Sequence, residues 1–88
     1  MPNRQSRITA ILQQQFQPSL LTVTDDSHQH AGHAGAAPGG ETHFSVLMVS
    51  EAFQGQARVA RSRAVHAALE QEFVRGLHAL ALSLRAPE

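Results

Sequence analysis

The residues of this chain best suited to chemistry are its histidines. There are six, with no cysteine, so no thiolate is present to act as nucleophile or metal ligand. Three of them, His28, His30 and His33, are spaced H-x-H-x-x-H in a glycine-rich stretch. A fourth, His78, opens the apolar run His78-Ala79-Leu80-Ala81-Leu82. Imidazole at two separated places points to metal ligation. Three imidazoles with a water resemble a zinc site, yet such sites rest on stiff supports, and residues 27–40 contain four glycines. The alternative is that one loop histidine joins His78 as a ligand when a partner arrives. Gly76 permits a tight turn out of a helix, which would hold His78 on a rigid hinge, as a ligand requires. The competing reading of His78 is structural, an imidazole capping a helix carbonyl at the start of a strand.

The other histidines carry less. His43 and His66 read as structural or exposed positions. Neither has a carboxylate at the spacing of a catalytic triad, and no G-x-S-x-G, H-E-x-x-H or Walker motif occurs. No enzyme is expected. Arg58, Arg61 and Arg63 form a modest basic patch that would suit DNA. However, seven arginines balance seven carboxylates with no lysine, and a free-standing nucleic-acid binder usually shows a basic excess. DNA binding is therefore possible in kind but weak.

Local patterns define the elements that must position these residues. Ile8, Ile11, Leu12 and Phe16 follow one helical face, with Asn3 as its N-cap and Pro18 beyond its end. Leu20–Thr24 reads as a strand bounded by Pro18 and Asp25-Asp26. Residues 27–40 form a long loop, a length uncommon unless functional or mobile. Thr42–Val49 alternates, with Phe44, Val46 and Met48 on one side and His43, Ser45 and Leu47 on the other. Glu51–Gln56 is turn-like around Gly55. From Ala57 to Val74 the period is helical, with Val65, Ala68, Leu69 and Phe73 as the buried stripe. Gly76 fits the left-handed position past a helix end, and His78–Leu84 is the third strand, reached by a crossover that suits a right-handed βαβ unit. The expected fold class is α+β: one αββαβ domain over residues 1–88, a three-stranded mixed sheet with helices on one face. At 88 residues its core is thin. No signal peptide or bilayer-spanning run is apparent, so a soluble, cytoplasmic protein without membrane contact is expected.

The words of the sequence are also familiar. Phe16-Gln17-Pro18, Asp25-Asp26-Ser27, Gly39-Gly40-Glu41-Thr42-His43-Phe44, Val49-Ser50, Phe53-Gln54-Gly55 and Val65-His66-Ala67-Ala68-Leu69 precede His78-Ala79-Leu80-Ala81-Leu82 in order. That series resembles the BolA family from about residue 4 to residue 85. The resemblance implies a type II KH-like fold. It also implies that His78 is the characteristic ligand of a metal cluster, with a second ligand from the loop; register alone does not choose among His28, His30 and His33, and His33, then His30, is favoured. The cluster implied is 2Fe–2S, shared with a monothiol glutaredoxin that supplies a cysteine and a bound glutathione thiol. Ligand counting agrees: such a cluster takes four ligands, and this chain has no cysteine to complete the set. Some BolA proteins are described as transcriptional regulators, which makes DNA binding through the second helix the rival expectation. A homodimer of the free protein is compatible with either.

Overall fold

The computed structural model of the protein describes residues 3–26 and 42–88. Helix α1 (Arg4–Phe16) begins where the sequence predicts: the Asn3 side chain accepts from the Ser6 amide at 2.8 Å, satisfying one of the free donors of the first turn. It ends at Gln17, whose backbone is left-handed (φ 44°), directly before Pro18. Strand β1 (Leu20–Asp25) and strand β2 (His43–Val49) pair antiparallel, with Leu20 opposite Val49 and Asp25 opposite Phe44. A short 3-10 turn (Glu51–Phe53) leads to α2 (Arg58–Ala68) and α3 (Glu70–Arg75), and strand β3 (Ala79–Arg85) lies parallel to β2. The sheet order is β1-β2-β3, the mixed three-stranded arrangement expected.

One face of the sheet carries the core. Phe44, Val46 and Met48 of β2 are buried together with Ile8 and Leu12 of α1, Val65 of α2, Leu69, Leu77 and Phe53. The alternate residues of β1 and β3 (Leu21, Val23, Leu80, Leu82, Leu84) border the same cluster. Strand periodicity makes this inevitable once one face is covered, because successive side chains point to opposite sides. The far end of the sheet is tied by Ser50, which is buried. Its hydroxyl donates to the Phe16 carbonyl at 2.6 Å and accepts from the Ala52 amide at 3.1 Å, while its own amide donates to the Arg85 carbonyl at 2.9 Å.

Two expectations need correction. The helical region 57–74 is not continuous but breaks at Leu69 (φ −102°, ψ 15°) into α2 and α3. The apolar stripe runs through the break, since Leu69 is itself buried, and a periodicity argument registers the stripe rather than the backbone. The third strand runs Ala79–Arg85, so His78 precedes its ladder instead of opening it. The loop 27–40 lies outside the described residues.

Candidate functional site

His78, which immediately precedes β3, is held by its backbone from both sides. Toward the helix, α3 closes in a Schellman arrangement: the Leu77 amide donates to the Glu72 carbonyl (2.9 Å) and the Gly76 amide to the Phe73 carbonyl (3.3 Å). Gly76 has φ +125°, a conformation that suits glycine because it has no Cβ. Leu77 is buried and anchors the chain as it leaves the turn. Toward the sheet, the His78 amide donates to the Thr42 carbonyl at 2.8 Å, and the Ala79 amide reaches the same oxygen at 3.1 Å. The backbone is therefore fixed while the His78 side chain stands in solvent. The expected rigid hinge is present.

The parallel pairing of β2 and β3 sets His43 opposite Ala79 and brings a second imidazole to the same corner. The rings of His43 and His78 lie edge to face with centroids 6.1 Å apart. The Thr42 hydroxyl and His43 Nδ1 are 2.9 Å apart in a hydrogen bond, the kind of second contact that orients a ligating imidazole. Two imidazoles on one metal, each nitrogen at ~2.0–2.1 Å, would place their ring centroids roughly 5–6 Å apart. The centroids of the pair lie slightly beyond that separation. Among the described residues no group of three or more histidines or carboxylates could hold a metal, so this corner by itself offers an incomplete ligand set.

The same corner is where the histidine-bearing segment leaves and rejoins the described chain. Asp26 is pinned there by its amide, which donates to the His43 carbonyl at 2.8 Å, and by its carboxylate, which accepts from the Ser45 hydroxyl. Thr42 is buried against His78 as described. His28, His30 and His33 belong to residues 27–41, outside the described residues; of that segment's two flanking residues, Thr42 is bonded to His78 and Asp26 to His43.

Behind the corner lies a group the sequence reading passed over. Glu72 is buried, with 2% of its side chain exposed, and is gripped by two arginines from α1. Arg7 donates from Nε (3.0 Å to Oε2) and Nη2 (2.9 Å to Oε1), and Arg4 from Nε at 3.3 Å. Arg75 stands 3.8 Å away, and Arg4 Nη2 also donates to the Arg75 carbonyl at 3.0 Å. The Arg7 hydrogen bonds hold the Glu72 carboxyl below the ordinary glutamate range. Burial opposes them, and the charge of Arg7, the Arg4 hydrogen bond and the charge of Arg75 add to the lowering. Because the backbone carbonyl of Glu72 also accepts from Leu77, this ion cluster roots the turn that carries His78. A signal was available: Arg4 and Arg7 extend the i, i+3, i+4 stripe of Ile8, Ile11 and Leu12 back to the helix start. Glu72 likewise sits three residues after Leu69, on the same face.

The remaining candidates fall elsewhere. His66 stacks on Phe73, centroids 5.2 Å apart at 15°, a packing role. Arg61 is engaged, donating from Nε to the Gln56 carbonyl (3.0 Å) and from Nη1 to the Leu84 carbonyl (3.2 Å), with its guanidinium 6.0 Å from the Phe53 ring centroid. Arg58 and Arg63 are exposed. The three arginines are therefore not an equivalent set. No helix among the described residues is long and apolar enough to cross a membrane.

Comparison with known proteins gives a consistent picture. The sequence matches the family profile of BolA-like proteins over residues 12–88. It is 44% identical over 87 residues to a protein named BOLA1, chloroplastic, of Arabidopsis thaliana, covering 97% of this chain and 54% of that one. It is 43% identical over 89 residues to SufE-like protein 1, chloroplastic/mitochondrial, of the same plant, covering 97% of this chain and 24% of the relative. The chain thus spans about half and about a quarter of the lengths of these two relatives. The solved structure of BolA1 from Arabidopsis thaliana superposes with a TM-score of 0.87 at 43% identity, covering 99% of this chain and 95% of that one.

Proposed function

The chain belongs to the family of BolA-like proteins, and from that premise we propose that it is a non-enzymatic adaptor that shares a 2Fe–2S cluster with a monothiol glutaredoxin. The observation that carries this reading is the solvent-facing imidazole of His78, fixed by its backbone at the corner to which the segment 27–41 is tethered. Its side chain is presented outward while its backbone is held on both sides. In the proposed complex His78 supplies one ligand to the cluster. A second imidazole comes from His33 or His30, with His43 as the competing donor because its ring already stands beside His78. Four ligands are needed, and the glutaredoxin's cysteine and a bound glutathione thiol supply the rest. The cluster is cargo held between two proteins, which suits trafficking or iron regulation.

The test is reconstitution with iron, sulfide, glutathione and a monothiol glutaredoxin, followed by visible circular dichroism and size exclusion. The expected result is a 1:1 complex carrying the cluster, with no stable cluster on the isolated protein. His78→Ala removes the histidine-dependent spectrum. Among His33→Ala, His30→Ala and His43→Ala, the true second ligand gives the largest loss of cluster lifetime. A stable cluster on the isolated chain, or no complex with any of several monothiol glutaredoxins, would overturn the reading.

A further inference from the structure

Among the described residues β3 is an edge strand, and its pairing with β2 leaves a defined set of peptide groups unused. The Ala79 amide donates to the Thr42 carbonyl, and the Arg85 carbonyl accepts from the Ser50 amide, so the odd-numbered residues face β2. Alternate residues turn their peptide groups the other way. Those of Leu80, Leu82 and Leu84 therefore point outward, where the sheet has no further strand among the described residues. Among the described residues, a side chain takes one of these groups: the Leu84 carbonyl accepts from Arg61 Nη1. Along this edge runs a groove lined by Arg58, Arg61 and Ser62 of α2 and by the 82–85 stretch of β3. Among the described residues that line it are three arginines and no carboxylate. The side chains of Arg58 and Arg85 are exposed and have no partner among the described residues.

Open strand edges are usually covered, kinked or guarded by charge. Here the guard has one sign, which repels cationic strands and attracts anionic ones. We propose that the outer edge of β3, with Arg58, Arg61 and Arg85, is a docking groove for an acidic extended segment of a partner protein, which adds as a fourth strand. Strand addition draws its affinity from main-chain hydrogen bonds and its selectivity from the flanking side chains. The outward amides and carbonyls recur every two residues, ~6.8 Å, the repeat of another strand. A nucleic-acid backbone would use only the arginines, and a chain of zero net charge adds no long-range attraction for such a polyanion. The groove runs along the later part of β3, away from His78 at its start, so this inference stands apart from the cluster reading.

The test is titration of the 15N-labelled full chain with a blocked eight-residue peptide of alternating glutamate and valine. Expected are amide shifts at Leu80, Leu82 and Leu84 and in the first turn of α2, with slowed hydrogen exchange at Leu82. Arg58→Glu combined with Arg85→Glu weakens binding at least tenfold, whereas Arg63→Glu, outside the groove, changes it less than twofold. Both substituted side chains are exposed, and unchanged shifts in the core check that the fold is kept. Equal binding by a lysine–valine peptide, shifts located away from β3, or no binding at millimolar peptide would overturn the proposal. Tighter binding of a single-stranded oligonucleotide of equal charge would also overturn it, assigning the groove to nucleic acid.

Discussion

Glu72 and His78 are six residues apart and show what burial does to a polar side chain. Glu72 survives in the core because its carboxylate is surrounded by donors; removing one side of a buried pair costs about 3–5 kcal/mol. Arg4 and Arg7 keep some contact with water, which places Glu72→Gln near the lower end. At ~4–8 °C per kcal/mol for a domain of this size, we expect a fall in melting temperature of about 12–24 °C by thermal circular dichroism. The same residue makes stability pH-dependent. Its folded pKa lies below the unfolded value of about 4.3, so the unfolded chain takes up the proton first. The contribution is complete above about pH 4.3 and is lost as pH falls through the depressed folded value. Denaturant melts below pH 4.5 should show a steeper acid loss for the natural chain than for Glu72→Gln. His78 is the opposite case. With its side chain in solvent, His78→Ala should change stability by no more than about 0.5 kcal/mol, and a larger loss would mark a structural role.

At the scale of elements, the turn from α3 into β3 and the junction at Ser50 decide where the corner sits. Gly76 at φ +125° has no comfortable replacement, and an added Cβ would lie 3.4 Å from the Arg4 guanidinium. Gly76→Ala is expected to cost about 1–3 kcal/mol, and to shift the amide resonances of His78 and Thr42 in a 1H–15N spectrum. If those two resonances stay in place, the turn does not set the position of His78. Ser50 acts at the other end of the sheet, where its hydroxyl takes the last carbonyl of α1. Ser50→Ala leaves that group unpaired in a buried setting, a loss of about 1–3 kcal/mol, measurable as a lower urea midpoint with an unchanged m-value.

Across the whole molecule, charge decides between partners. Formal net charge is zero with histidine neutral, and Arg4, Arg7 and Arg61 are committed to Glu72 or to backbone carbonyls. The cations left for a phosphate backbone are few: Arg58 and Arg85 border one groove, and Arg63 lies outside it. Duplex DNA is expected to bind weakly and without sequence preference, on the order of 10⁻⁴–10⁻⁶ M. Fluorescence anisotropy with labelled duplexes at two salt concentrations checks this. A submicromolar, sequence-selective complex at physiological salt, lost on replacing Arg58 and Arg63, would favour a DNA-binding regulator over the adaptor.

What the sequence determined on its own is whatever acts over a few neighbouring residues. The Asn3 cap, the stop before Pro18, the alternation of Phe44, Val46 and Met48 and the positive-φ turn at Gly76 are local rules, and each was legible. The absence of cysteine was legible too, because a missing residue type needs no fold to be seen. The break at Leu69 was hidden, since an apolar stripe reports which face is buried and not whether the backbone continues. Glu72 was hidden because a carboxylate in the core is stable only beside Arg4 and Arg7, which arrive from the other end of the chain. The meeting of His43 and His78 was hidden for the same reason. Nothing within either strand sets their distance; it follows from the parallel register that puts His43 beside Ala79, and register is a property of two strands packed on a common core.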